Sequence, residues 1–192
     1  MSNLHNSNRL KGKKIAILAT DGFEQSELLS PQAALLEAGA DIDVVSIKEG
    51  QITAWDEDKW GEKVAVDKLA ADANAADYDA LLLPGGLFNP DSLRQNTDAK
   101  AFVDGFFGAE KNKPVAAICH APWLLAEINK LRDKKVTSFP SIKSDLINAG
   151  AHWVDQEVCV DNGLVTSRSP ADLDAFNAKF IEEILEGKHQ AH

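Results

Sequence analysis

A chain of 192 residues, 44% of them hydrophobic, fits one domain with a full core. A net charge of −10, with the basic residues scattered rather than striped, argues against a nucleic-acid partner. Two cysteines make no disulfide scaffold, no apolar run reaches membrane-span length, and Met1 to Gly12 lacks an apolar signal core, so the expected location is the cytoplasm.

Residues 1–12 are polar and are expected to form a loose tail ahead of a single domain over 13–186. Ile15–Ala19 predicts a strand that ends at Thr20-Asp21-Gly22. Glu24 to Ala38 carries helical spacing and stops at Gly39, with Pro31 predicting a kink or a late start. Ile42–Ile47 predicts a second strand, and 49–66 a small antiparallel excursion. Ala80–Leu83 is a third, buried strand closed by Pro84-Gly85-Gly86, and Thr97 to Gly108 is helical. Val115–Ile118 is a fourth, followed by a helix over Pro122 to Asn129. Val136–Ser138 predicts another strand and Ser144 to Ala149 a short helix. Asp161-Asn162-Gly163 joins a hairpin, Pro170 to Glu186 is the last helix, and 187–192 is expected to fray. Strands alternating with helices define an α/β class with a mostly parallel sheet covered on both faces. Functional sites in such sheets collect at the C-terminal strand ends.

One of those ends is chemically loaded. Cys119 and His120 fall in the turn between strand and helix, with small residues, Ala117 and Ala121, two places to each side of the cysteine. This is the spacing of a nucleophile elbow, in which a sharp turn lifts one side chain out of the sheet. The helix that follows offers a partial positive charge, which predicts a thiol of lowered pKa. A lone cysteine is more often a small buried hydrophobe. Cys159, between Val158 and Val160 in a strand, is expected to be that structural case.

Other strand-end loops supply partners. His120 is a general base or merely a polar turn residue, and a base needs a group to hold its tautomer. Glu24 and Glu27 are either favourable charges at a helix start or a carboxyl aimed at the thiol, and a protonated carboxyl there would donate to the thiolate. Gly85 and Gly86 are a strand-ending turn or an oxyanion hole. Asp91 is a helix cap or the loop acid best placed to orient His120. The terminal His-Gln-Ala-His stretch carries no expectation of a metal, and no cofactor is indicated.

Taken together, Thr20-Asp21-Gly22-Phe23-Glu24-x-x-Glu27, Leu83-Pro84-Gly85-Gly86, Ala117-Ile118-Cys119-His120-Ala121-Pro122, Ile147-Asn148-Ala149-Gly150-Ala151 and Val165-Thr166-Ser167-Arg168-x-Pro170-x-Asp172-Leu173 resemble the PfpI/ThiJ family over roughly residues 13 to 186. The resemblance implies a flavodoxin-like sandwich and a homodimer or hexamer. It implies Cys119 as nucleophile, His120 as adjacent base and Glu24 and Glu27 as the acidic pair. Asp91 stands where related members supply a Glu to the His from a neighbouring subunit. Phe139 stands where some members carry Tyr, and Ala121 replaces a common Gly. The implied activities are glyoxalase or deglycase chemistry on a small aldehyde or a glycated protein, or an intracellular peptidase. A redox-sensing holdase is the rival from another class. An amidotransferase is disfavoured, because His152 is followed by Trp153 and Val154 rather than by a His-x-Glu pair.

Overall fold

The computed structural model describes residues 8–190. In chain order the elements are β1 (Lys14–Leu18), α1 (Gln25–Glu37), β2 (Asp41–Ser46), β3 (Gln51–Asp56), β4 (Lys59–Ala65), β5 (Lys68–Leu69), β6 (Ala80–Leu83), α2 (Phe88–Gln95) and α3 (Thr97–Asp104). There follow β7 (Lys111–Asn112), β8 (Val115–Ile118), α4 (Pro122–Glu127), β9 (Lys135–Val136), α5 (Lys143–Asn148), β10 (His152–Trp153), β11 (Val158–Asp161), β12 (Leu164–Ser167), α6 (Leu173–Glu186) and β13 (His189–Gln190).

Seven strands form one sheet in the order β11-β12-β8-β6-β1-β2-β5, parallel except for β11. The long parallel strands β2, β1, β6, β8 and β12 follow the doubly wound 2-1-3-4-5 order. The antiparallel excursion is the separate β3–β4 hairpin. Side chains alternate along each strand, so each feeds two cores. Ile15, Ile17, Leu82, Ala116 and Ile118 pack with Leu28, Leu35, Phe176 and Phe180 on one face, the side of α1 and α6. Ala16, Leu18, Leu81, Leu83 and Ala117 pack with Leu93, Phe102, Leu124 and Leu146 on the other, the side of α2 to α5. No helix among the described residues is long and apolar enough to cross a membrane.

Four expectations need adjusting. The chain is already tied down before residue 13: Leu10 is buried and its N–H donates to Ala38 O at 2.8 Å, while residues 1–7 lie outside the described range. The C-terminal segment does not fray through 190, because β13 pairs antiparallel with β7. Helix α1 runs Gln25–Glu37 with Pro31 inside it, which excludes the late-start alternative. Helix α2 was unforeseen. Its exposed Leu87 and Phe88 and the Pro90 within its first turn hide the apolar period.

Candidate active site

The loops after β1, β6, β8 and β9 meet at the C-terminal end of the sheet. Cys119 leaves β8 with φ +64°, a left-handed conformation that costs a non-glycine residue on the order of 1 kcal/mol or more. Both of its backbone groups are tied: its N–H donates to Ser167 O at 3.1 Å, and its carbonyl accepts from Phe139 N–H at 2.9 Å. Ala117 and Ala121 are buried on either side, as the tight turn requires, and Pro122 opens α4 at its first position. Cys119 is only 7% exposed.

His120 meets the thiol directly. Nδ1 lies 3.1 Å from Cys119 Sγ, a contact that the positive φ makes possible for sequence neighbours. On the other side, Nε2 lies 3.2 Å from Ser141 Oγ. The ring is stacked on Phe139 at 4.8 Å and edge-on to Trp123 at 5.2 Å. Burial pulls its pKa down, so at neutral pH it is an uncharged imidazole. With the Nε2 proton given to Ser141, Nδ1 offers its lone pair to the thiol. The group that orients His120 within the chain is therefore Ser141. Asp91 sits exposed in the first turn of α2, its carboxylate near Gln95 Nε2 at 3.4 Å, and makes no hydrogen bond to His120 among the described residues.

Burial separates the two glutamates. Glu24 precedes α1 half-buried among Asp56 and Glu57, and burial and those charges raise its pKa. Glu27, one turn on, is fully buried. Its Oε1 accepts the Gly85 N–H at 3.0 Å, and Oε2 is buried with no hydrogen-bond partner among the described residues. Desolvation first, then the Glu24 charge, pushes its pKa up to about 8, while the Cys119 side chain is among the groups that hold it down. At neutral pH Glu27 is therefore protonated beside the sulfur, with a proton to donate.

The expected low thiol pKa is overturned. Burial pushes the Cys119 thiol up, as does the Glu27 charge once that carboxyl has ionised, and this outweighs the backbone N–H groups of Gly86 and His120 that favour the thiolate. Helix α4 is only six residues long, and the Trp123 and Leu124 N–H groups are spent on His120 O and Ala121 O. Cys119 therefore rests as a thiol, with a neutral imidazole nitrogen in contact with its sulfur.

The glycines divide as well. A Cβ on Gly85 would lie 2.5 Å from Glu27 Oε1 and 2.7 Å from Cys119 Cβ, so only glycine fits between them. Its amide is committed to Glu27. The amides facing the sulfur are those of Gly86 and of His120, the residue after the nucleophile. Asn89, a residue that sequence reasoning missed, fixes this loop. Fully buried, it accepts the Thr20 N–H at 2.8 Å and donates to Pro84 O and Gly85 O at 2.9 and 3.1 Å. Ser141 was missed too, although Phe139-Pro140-Ser141 lies at a strand end where a polar residue invites attention.

Residues 13–183 match the DJ-1/PfpI family, and the chain belongs to it. It is 47% identical over 170 residues to the Bacillus subtilis (strain 168) protein named "Putative cysteine protease YraA", covering 88% of this chain and 96% of that one. It is 41% identical to the uncharacterized protein SAV1875 of Staphylococcus aureus (strain Mu50), covering 90% of this chain and 98% of that one. Among solved structures, Drosophila melanogaster DJ-1beta superposes with a TM-score of 0.79 at 27% identity, covering 90% of each chain. Schizosaccharomyces pombe DJ-1, at 23% identity, shares the fold with a TM-score of 0.77 over 88% of this chain and 90% of that one.

Proposed function

We propose that this chain is a cofactor-independent cytoplasmic enzyme that uses the Cys119 thiol to detoxify small reactive dicarbonyls, methylglyoxal and glyoxal among them, or their early protein adducts. The observation that carries the reading is the 3.1 Å contact between Cys119 Sγ and a neutral His120, beside a protonated, buried Glu27. A cysteine only 7% exposed suits a substrate of a few atoms better than an extended chain.

Sulfur attacks the aldehyde carbon as the thiol proton passes to His120 Nδ1. The carbonyl π pair moves to oxygen, which faces the Gly86 and His120 amides and takes a proton from Glu27 or the imidazolium, giving a hemithioacetal. Loss of the proton on that carbon and reprotonation at the neighbouring carbon give a 2-hydroxyacyl thioester. Water then cleaves the S–C bond and returns the thiol. The sum is dicarbonyl plus water to 2-hydroxyacid, with no external oxidant or reductant. Removing an adduct from an amine uses the same nucleophile and the same proton donors.

A peptidase is the second reading, favoured by the name of the 47% identical relative. Assembly of copies belongs to both readings. Exposed Leu87 and Phe88, with Trp60 stacked on Phe88 at 6.3 Å, form an apolar patch in and beside the helix that carries Asp91. Through such a contact a neighbour's Asp91 would approach His120. The deciding experiment incubates the protein with methylglyoxal alone and follows lactate by NMR, with Cys119→Ala as control. Lactate formed by the parent and not by the variant supports the first reading. Its absence, together with Cys119-dependent peptide cleavage, moves the assignment to the second.

A further inference from the structure

At the opposite end of the sheet from Cys119, the chain folds back on itself. Helix α6 ends at Gly187, whose φ of +85° reverses direction and lays β13 beside β7, with His189 opposite Asn112. The His189 ring packs over the turn between β11 and β12, where a Cβ on Gly163 would lie 2.7 Å from its Cδ2. This brings His189 against the last turn of α6. Glu183 and Glu186, three apart on one helix face, offer oxygens that lie with a His189 ring nitrogen within 4.8 Å of one another.

The arrangement is short of positive charge. Glu183 is only 6% exposed, and its Oε2 is buried with no hydrogen-bond partner among the described residues. His189 Nε2 lies 2.9 Å away, an ion pair when the ring is protonated, yet it too is buried without a hydrogen-bond partner among the described residues. Besides His189, the charges acting on Glu183 are two further carboxylates, Glu186 and Glu182, and Lys179, which is itself paired with Glu182 at 3.0 Å. Lys188, just ahead of β13, acts on Lys113. A buried carboxylate oxygen and a buried ring nitrogen thus converge with nothing between them that answers both.

We propose that Glu183, Glu186 and His189 form a binding site for a borderline divalent cation of the Zn2+ type, which clasps the C-terminal segment to α6. An imidazole nitrogen with two carboxylates suits zinc or its neighbours better than magnesium or calcium, which prefer all-oxygen shells. Tetrahedral zinc at ordinary bond lengths holds its ligand atoms about 3.4 Å apart. The 2.9 Å between Glu183 and His189 is already close to that, and only the exposed Glu186 needs to swing inward. Solvent completes the shell. The site is remote from the chemistry: β8 runs from Val115, whose N–H donates to the Gly163 carbonyl at this end, to the turn that holds Cys119 at the other.

The test is calorimetric titration of zinc chloride into the full-length Cys119→Ala chain, which removes the reactive thiol as a competing ligand. One zinc per chain is expected, with a melting temperature that rises with zinc. Glu183→Gln, Glu186→Gln and His189→Ala should each weaken binding at least about tenfold. Circular dichroism checks folding, and if Glu183→Gln does not fold, the exposed Glu186→Gln decides. No binding at all would leave a plain Glu183–His189 ion pair and overturn the proposal. Binding lost in His189→Ala but kept in both glutamine variants would be chelation by the terminal segment alone and would overturn it equally.

Discussion

The two cysteines are both buried and both free of disulfides, yet they live in different chemistry. Cys159 lies within regular strand β11, where its Sγ donates to Lys135 O at 3.2 Å and burial raises its pKa. Cys119 is also pushed up by burial, but it stands on a left-handed backbone with an imidazole at 3.1 Å and a protonated carboxyl beside it. What separates the two is a place for the proton to go, not the acidity of the resting thiol. A depressed pKa is one way to arm a cysteine, and a neutral base in contact is another.

The comparison breaks most sharply by deletion. Cys119→Ala should lower dicarbonyl turnover by at least about a thousandfold, while Cys159→Ser should change it less than about threefold, read as lactate formation by NMR. Comparable losses in two folded variants would erase the distinction. Glu27→Gln should cost about a hundredfold in kcat, because the amide keeps the shape but has no acidic proton, whereas Glu24→Gln should cost far less. Stability supplies the opposite sign at the same residue. Glu27 is raised from 4.5 to about 8 on folding, so its favourable contribution is full below the unfolded value and is lost as pH rises through the folded one. Glu27→Gln should therefore melt above the parent on the alkaline side of neutrality, by on the order of 5 °C or more, with the gap closing in acid.

Finer contrasts concern the proton path. Alkylation of Cys119 by iodoacetamide should keep accelerating as pH rises through neutrality, because the thiol is pushed up, and a plateau in mild acid would restore the stabilised thiolate. Ser141→Ala should lower kcat about threefold to tenfold and shift the acid limb of the kcat/KM profile, with little change in melting temperature. That limb should fall below the usual histidine range, since burial lowers the His120 pKa and keeps the base free into mild acid. The smallest effect is expected from Asp91→Ala in isolated chains. A larger one would require an assembly, and mixing inactive Cys119→Ala with Asp91→Ala subunits should then recover part of the activity.

Much of this was legible in the sequence because the decisive elements are local. Val115–Ile118 followed by Cys119, His120 and Pro122 reads as strand, elbow and helix, and Asp161-Asn162-Gly163 reads as a hairpin turn, with Asn162 and Gly163 at φ +49° and +80°. What stayed hidden depends on distant packing. Glu24 and Glu27 are equivalent acids at a helix start until the sheet buries one of them. The backbone N–H groups of Gly86 and His120 favour the thiolate, but desolvation is set by the whole fold and is the larger effect. Two-residue strands such as β7 and β13 carry no periodicity, so the clasp they form at the C-terminus could not be read from residues 187–192.

Asn89 has a consequence for motion. One fully buried side chain bonds the loop after β1 through Thr20 and the loop after β6 through Pro84 and Gly85, while itself riding on α2. Three segments separated by up to 69 positions in the chain are thereby stitched into a single block on one flank of the thiol. That flank cannot open piecemeal without stranding three buried polar groups, at a cost of about 1–3 kcal/mol for each. Opening that exposes the thiol is therefore expected where Phe139 and Ser141 contact His120. Hydrogen exchange would record the asymmetry as a slow Thr20 amide facing a faster short turn at Pro140–Ile142.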